Sequence, residues 1–113
     1  MEEIETKTLY DWAWKHWGSD AQIDVLIEEM AELTQALLKS RRNGVVFSFS
    51  VIEEIADVEI CMEQIRQKIA EIGSQVPLET IKRKKLIRLR NRLIADVEEK
   101  NEGIADPIMG LSR

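Results

Sequence analysis

The sequence predicts an all-α protein, organised as a four-helix bundle in a single domain. Three observations carry this. Apolar residues recur at spacings of three and four along four separate segments of the 113-residue chain, the pattern that gives a helix one apolar face. Only two prolines and five glycines occur, and they fall between those segments. No segment alternates apolar and polar residues over the length of a strand.

The first segment, TLYDWAWKHW (8–17), places Leu9, Trp12, Ala13 and His16 at helical spacing, and Gly18 ends it. Ser19 and Gln22 stand three apart and predict a capping box, each side chain satisfying a free backbone donor at a helix start. The second helix is expected from about Asp20 to Arg42, with Ile23, Leu26, Ile27, Met30, Leu33, Thr34 and Leu37 as its apolar stripe. Asn43-Gly44 closes it with residues that accept a left-handed conformation. VVFSFS (45–50) is rich in β-branched and aromatic residues but has no partner strand, so a loop is expected.

Ser50 and Glu53 predict a second capping box. The third helix then runs to about Ile72, with Val51, Ile55, Val58, Met62, Ile65 and Ile69 on one face. Gly73-Ser74 breaks it. Pro77 suits the first turn of a fourth helix, expected over 77–100. The tail NEGIADPIMGLSR (101–113) is expected to be a loose end or an arm that packs on a partner subunit. Met30, Met62 and Cys61 are expected to pack in the core.

Composition narrows the class. Hydrophobic residues make up 44% and charged residues 33%, the balance of a helix-rich globular protein and not of a disordered chain. A net charge of −5 argues against general attraction to nucleic acid or anionic membrane. A single cysteine excludes an intramolecular disulfide and suits a reducing compartment. No apolar run approaches the roughly 18 residues that mark a membrane span. The amino terminus, MEEIETK, is unlike a secretory signal. The expectation is a soluble, cytoplasmic protein.

The most informative feature is a repeated phrase. LIEEMAEL (26–33) returns 25 residues later as VIEEIADV (51–58). Residues three apart on a helix lie on nearly one face, so Glu29 projects with Glu32, and Glu54 with Asp57. Both pairs border the apolar stripe, whereas a merely solvated acidic face would lie opposite it. A short connector makes the two helices antiparallel neighbours, so four carboxylates converge near the edge of the core. Like charges in a partly dry site raise one another's pKa. A hard divalent cation, Mg²⁺ or Mn²⁺, relieves that conflict with all-oxygen ligands. Adjacent glutamates on a helix are commonly plain surface. Two copies in one register beside apolar stripes argue for a site.

Glu29-x-x-Glu32, 21 intervening residues, then Glu54-x-x-Asp57 resembles the signature of the all-α nucleoside triphosphate pyrophosphohydrolases of the MazG type. The flanking stretches WGSDAQIDVLIEEMAELTQALLK, VIEEIADVEICMEQI and KLIRLRNRL extend the resemblance over residues 9–95. It implies Mg²⁺-dependent hydrolysis of a (deoxy)nucleoside triphosphate to the monophosphate and pyrophosphate, with Mn²⁺ as an acceptable substitute. It also implies a bundle completed by dimerisation, as a homodimer or homotetramer. Carried over residue by residue, Glu29, Glu32, Glu54 and Asp57 are the metal ligands. Glu28 and Glu53 are the neighbouring acids of the motif and the candidates to orient or deprotonate a water.

A triphosphate also needs protein cations. KRKKLIRLRNR (82–92) holds seven of the chain's 16 Lys and Arg residues. The resemblance favours Lys85 and Arg88, with Lys39 as a further candidate. Trp14, Trp17 and Gln22 are candidates for the base, by stacking and by hydrogen bonding. Tryptophans near a terminus more often anchor a core or an interface. His16, the lone histidine, reads as structural. A non-catalytic helical dimeric adaptor is the competing reading. A di-iron carboxylate bundle needs Glu-x-x-His pairs, which this chain lacks.

Overall fold

The computed structural model describes residues 5–73 and 77–100, and among these every regular element is an α-helix. The four are α1 (Thr6–Trp17), α2 (Ser19–Arg42), α3 (Phe49–Ile72) and α4 (Leu78–Glu99). They match the four periodic segments closely. The tail 101–113 lies outside the described residues.

The chain divides into two compact units, residues 1–73 and 74–113. In the first, α1, α2 and α3 all pack on one another, and the α2–α3 pair is the most extensive contact. Gly18 alone separates α1 from α2. It takes a φ of 89° and ends α1 with a bond from its N–H to the Trp14 carbonyl at 2.9 Å. Its own carbonyl accepts from the Gln22 N–H at 3.1 Å.

The α2–α3 turn is built from particular atoms. The Gly44 N–H donates to the Arg41 carbonyl at 3.2 Å and the Val45 N–H to the Ser40 carbonyl at 2.9 Å. With Gly44 at φ 72°, this is the paired-bond helix ending that a left-handed residue permits. Lys39, Arg41 and Arg42 occupy the last turn, where positive charge suits the helix dipole. Ser48 then caps α3, its hydroxyl accepting from the Val51 N–H at 3.3 Å. The buried Ser40 hydroxyl donates to the Ser48 hydroxyl at 2.7 Å, and Val51 beneath them is fully buried.

Both expected capping boxes are corrected. α2 begins directly after Gly18 with no side-chain cap, so Ser19 is already helical and does not cap. α3 begins at Phe49, one residue before Ser50, and is capped by Ser48. Ser48 has Val51, not an acid, three residues on, so no reciprocal bond forms. The loop expected over 45–50 is correspondingly shorter, with Phe49 and Ser50 inside α3.

The core is small. Among the described residues, the buried apolar side chains are Tyr10, Leu26 and Val51. Met30 and Met62, expected inside, are 42% and 40% exposed. An antiparallel hairpin with one short helix laid across it offers a single seam, and only part of each apolar stripe reaches that seam.

A polar network joins α1 to α3. The Tyr10 hydroxyl donates to the Glu63 carboxylate at 2.6 Å. Lys68 Nζ stands 2.6 Å from Asp11 Oδ1 and 3.1 Å from Glu71, and lies 5.7 Å above the Trp14 ring. Gln67 donates to Asp11 at 3.0 Å and to the Lys7 carbonyl at 3.1 Å.

α4, in the second unit, follows Pro77 and carries Glu79 in its first turn. It buries none of its own residues. Lys82 and Glu79 approach to 3.9 Å on its exposed surface.

Candidate functional site

The acids of the repeated phrase come together across the α2–α3 hairpin. Glu29 of α2 and Glu54 and Asp57 of α3 each present a carboxylate oxygen, and these oxygens all lie within 4.8 Å of one another. Glu29 and Glu54 are half-buried and Asp57 is exposed. The helical register explains the meeting. The turn at 43–48 folds α3 back along α2, so the first copy of the phrase is returned beside the second.

Glu32 stands outside this group of three and is exposed. Its charge nevertheless reaches the site. Burial raises the Glu29 carboxyl from its usual 4.5 to about 7, helped next by the charges of Glu32, Asp57 and Glu54. Burial also pushes Glu54 upward, followed by the charges of Glu32 and Asp57. Carboxylates so placed favour a shared proton or a bound cation.

Two atoms sharpen this. Glu29 Oε2 and Glu54 Oε2 are buried and have no hydrogen-bond donor. An ionised carboxylate oxygen can only accept, so each buried oxygen calls for either a proton or a cation. The donor set is all oxygen and fits a hard divalent ion.

Glu28 and Glu53 are exposed and lie outside the group of three. Each sits one residue before a clustered acid, about 100° further round its helix. Gln22 is half-buried in the first turn of α2. It precedes Glu29 by seven residues, so the two share a face about 10 Å apart along the axis. Lys39, exposed in the last turn, stands in the same relation to Glu32. Lys85 and Arg88 are exposed on one face of α4, in the separate unit.

The tryptophans divide. Trp14 is half-buried under Lys68 on the side of α1 that meets α3. Trp17 is 63% exposed, with the His16 ring edge-on to it at 5.3 Å and 74°. Leu9, Trp12, Ala13, His16 and Trp17 line a recess of about 240 Å³. Helical spacing puts Leu9, Trp12 and His16 on the side of α1 turned away from Tyr10 and Asp11, whereas Trp17, seven residues after Tyr10, falls on the Tyr10 face.

Cys61, half-buried, lies one turn beyond Asp57, where burial and the charges of Glu29 and Asp57 hold its thiol up. Sequence patterns gave no sign of the Tyr10–Glu63 and Asp11–Lys68 contacts. Their partners are 53 and 57 residues apart, and neither pair forms a short motif.

Compared with known protein families, with curated proteins and with solved structures, the chain matches none.

Proposed function

We propose that this protein is a Mg²⁺-dependent nucleoside triphosphate pyrophosphohydrolase of the MazG type, working in the cytoplasm as a homodimer or homotetramer whose bundle is completed by a second copy. The observation that supports the reading best is the group of Glu29, Glu54 and Asp57, with oxygens within 4.8 Å and two buried oxygens without donors. Two consecutive antiparallel helices place three acids where acids repel, which is unfavourable unless something positive binds.

Glu29, Glu54 and Asp57 would hold the cation, and Glu32 would add negative charge beside it. A divalent ion there supplies charge neutralisation to the triphosphate and to the departing pyrophosphate. Glu28 or Glu53 takes the proton of the attacking water. That water's oxygen bonds to phosphorus as the α–β anhydride bond breaks, releasing monophosphate and pyrophosphate. Gln22 and Lys39 flank the acids along α2 and suit the base and a phosphate respectively. Lys85 and Arg88 are the further candidates for phosphate contact, and Trp17 for the base.

The test is pyrophosphate release from common and damaged nucleoside triphosphates with Mg²⁺. Release should vanish with EDTA and fall by about a hundredfold or more in Glu54→Gln. If no triphosphate yields pyrophosphate, the hydrolase reading fails. A second reading, a non-catalytic helical adaptor, draws on the exposed apolar surface, with Trp12 at 68% and Phe47 at 69%. It would then stand in place of the enzyme.

A further inference from the structure

α1 is attached to the rest of its unit in an unusual way. A helix is normally held by its apolar stripe, which ties it cooperatively to the core. Here Leu9 and Trp12, on the side of the helix opposite Asp11 and Trp14, are 47% and 68% exposed. Of the described residues of α1 only Tyr10 is buried.

The side docked on α3 is polar, and α1 packs on α2 as well. Asp11 meets Lys68 at 2.6 Å, the Tyr10 hydroxyl meets Glu63 at 2.6 Å, and Gln67 bonds both Asp11 and the Lys7 carbonyl. Lys68 also covers Trp14 at 5.7 Å. The Lys68 side chain is 13% exposed and Asp11 is 34% exposed, so the pair is partly dry yet open to ions.

The joint is a single residue. Gly18 holds a φ of 89°, and nothing lies within 4 Å of the space a Cβ would take. Rotation about its φ and ψ changes the direction of α1 without bending either helix.

We propose that α1 is a latched arm, released from α3 as a unit about Gly18 when the Asp11–Lys68–Gln67 contacts loosen, while the α2–α3 hairpin stays folded. Docked, it covers α3 at Glu63, Gln67 and Lys68, beginning about two turns beyond Asp57. Cys61 lies between, within electrostatic reach of Tyr10 on one side and of Glu29 and Asp57 on the other. Release therefore uncovers the stretch of α3 next to the carboxylates, whatever they bind.

The chain carries its own reporters. All three tryptophans lie in α1, so intrinsic fluorescence reads the arm, and amide hydrogen exchange reads every helix. In the full-length protein without nucleotide, raising salt from low to about 1 M screens the latch. Exchange across 6–17 should rise about tenfold, with tryptophan emission shifting to the red. Exchange across the α2–α3 hairpin should hold or slow, since the same salt also screens repulsion among Glu29, Glu54 and Asp57. Lys68→Met, which keeps much of the apolar stem, should reproduce the change in α1 at low salt. If α1 and the hairpin speed up together, or α1 ignores both salt and Lys68→Met, the arm is not a separate unit and the proposal is overturned. No arm of the test involves hydrolysis, so its outcome is independent of the enzyme reading.

Discussion

Single side chains set the pH behaviour of this protein. In the folded state Glu29 titrates near 7 against a usual 4.5, chiefly because of burial and then its acidic neighbours. Between those values the folded protein holds a proton that the unfolded chain releases. The stability this group contributes is thus fully present below about 4.5 and is lost as pH rises through about 7. Glu54, shifted the same way, adds to the slope. Without divalent cations, the melting temperature should drop between pH 5 and pH 8. Glu29→Gln should flatten that drop, and millimolar Mg²⁺ should lessen it in the unaltered protein by competing with the proton. Melts followed by circular dichroism at both pH values check this. An equal drop in Glu29→Gln and in the parent would show that the carboxylate group does not control the slope. Tyr10 makes a second case. Its hydroxyl, pushed up to about 12 by its bond to Glu63 and by burial, stays protonated through the physiological range. Tyr10→Phe removes that donor and should cost about 1 kcal/mol in denaturant melts.

At the scale of elements, helix existence was legible and helix starts were not. The four periodic stripes located the helices, and Gly18, Asn43-Gly44, Gly73 and Pro77 located their limits. Those signals act within a few residues, so sequence carries them directly. The caps depended on where the chain enters the next helix, and that is a tertiary matter. Ser50 has the spacing of a cap, yet Ser48 wins because the buried Ser40 hydroxyl donates to it at 2.7 Å. The hairpin turn is therefore sensitive to one atom. Ser48→Ala leaves the Val51 N–H and the Ser40 hydroxyl without their partner. It should destabilise the protein by about 1–2 kcal/mol, read as a fall of the denaturation midpoint at unchanged slope. Ser50→Ala, at the position that sequence spacing favoured, should have a much smaller effect. Equal losses in the two variants would contradict the cap assignment. The same reasoning explains the site. The repeat of Glu29-x-x-Glu32 in Glu54-x-x-Asp57 was visible because it is local and written twice. That Glu32 lies outside the tight group, and that α1 is held by Asp11 and Lys68, depends on helix rotation and packing, which spacing alone leaves open.

At the scale of the whole molecule, the apolar stripes of α2 and α3 are only partly buried among the described residues. Leu26 and Val51 are inside, whereas Ile27, Leu37, Leu38 and Met62 are 54%, 41%, 48% and 40% exposed. Monomeric proteins seldom leave contiguous apolar surface on this scale, and obligate dimers bury such faces as a core divided between chains. No helix among the described residues is long and apolar enough to cross a membrane, so a bilayer-spanning role does not account for these faces. The proposed second copy would cover them, through the stripes that sequence periodicity picked out. The protein should then sediment as a dimer or tetramer, and its melting temperature should rise with protein concentration, because folding and association are linked. Leu37→Lys places a charge on the α2 stripe two turns beyond the carboxylates, where it leaves Glu29, Glu54 and Asp57 unaltered. It should shift sedimentation toward monomer and lower the melting temperature most at low concentration. A parent protein that stays monomeric at every concentration, with a melting temperature independent of dilution, would show that these helices keep their apolar faces in water, and a dimer-completed bundle would have to be abandoned.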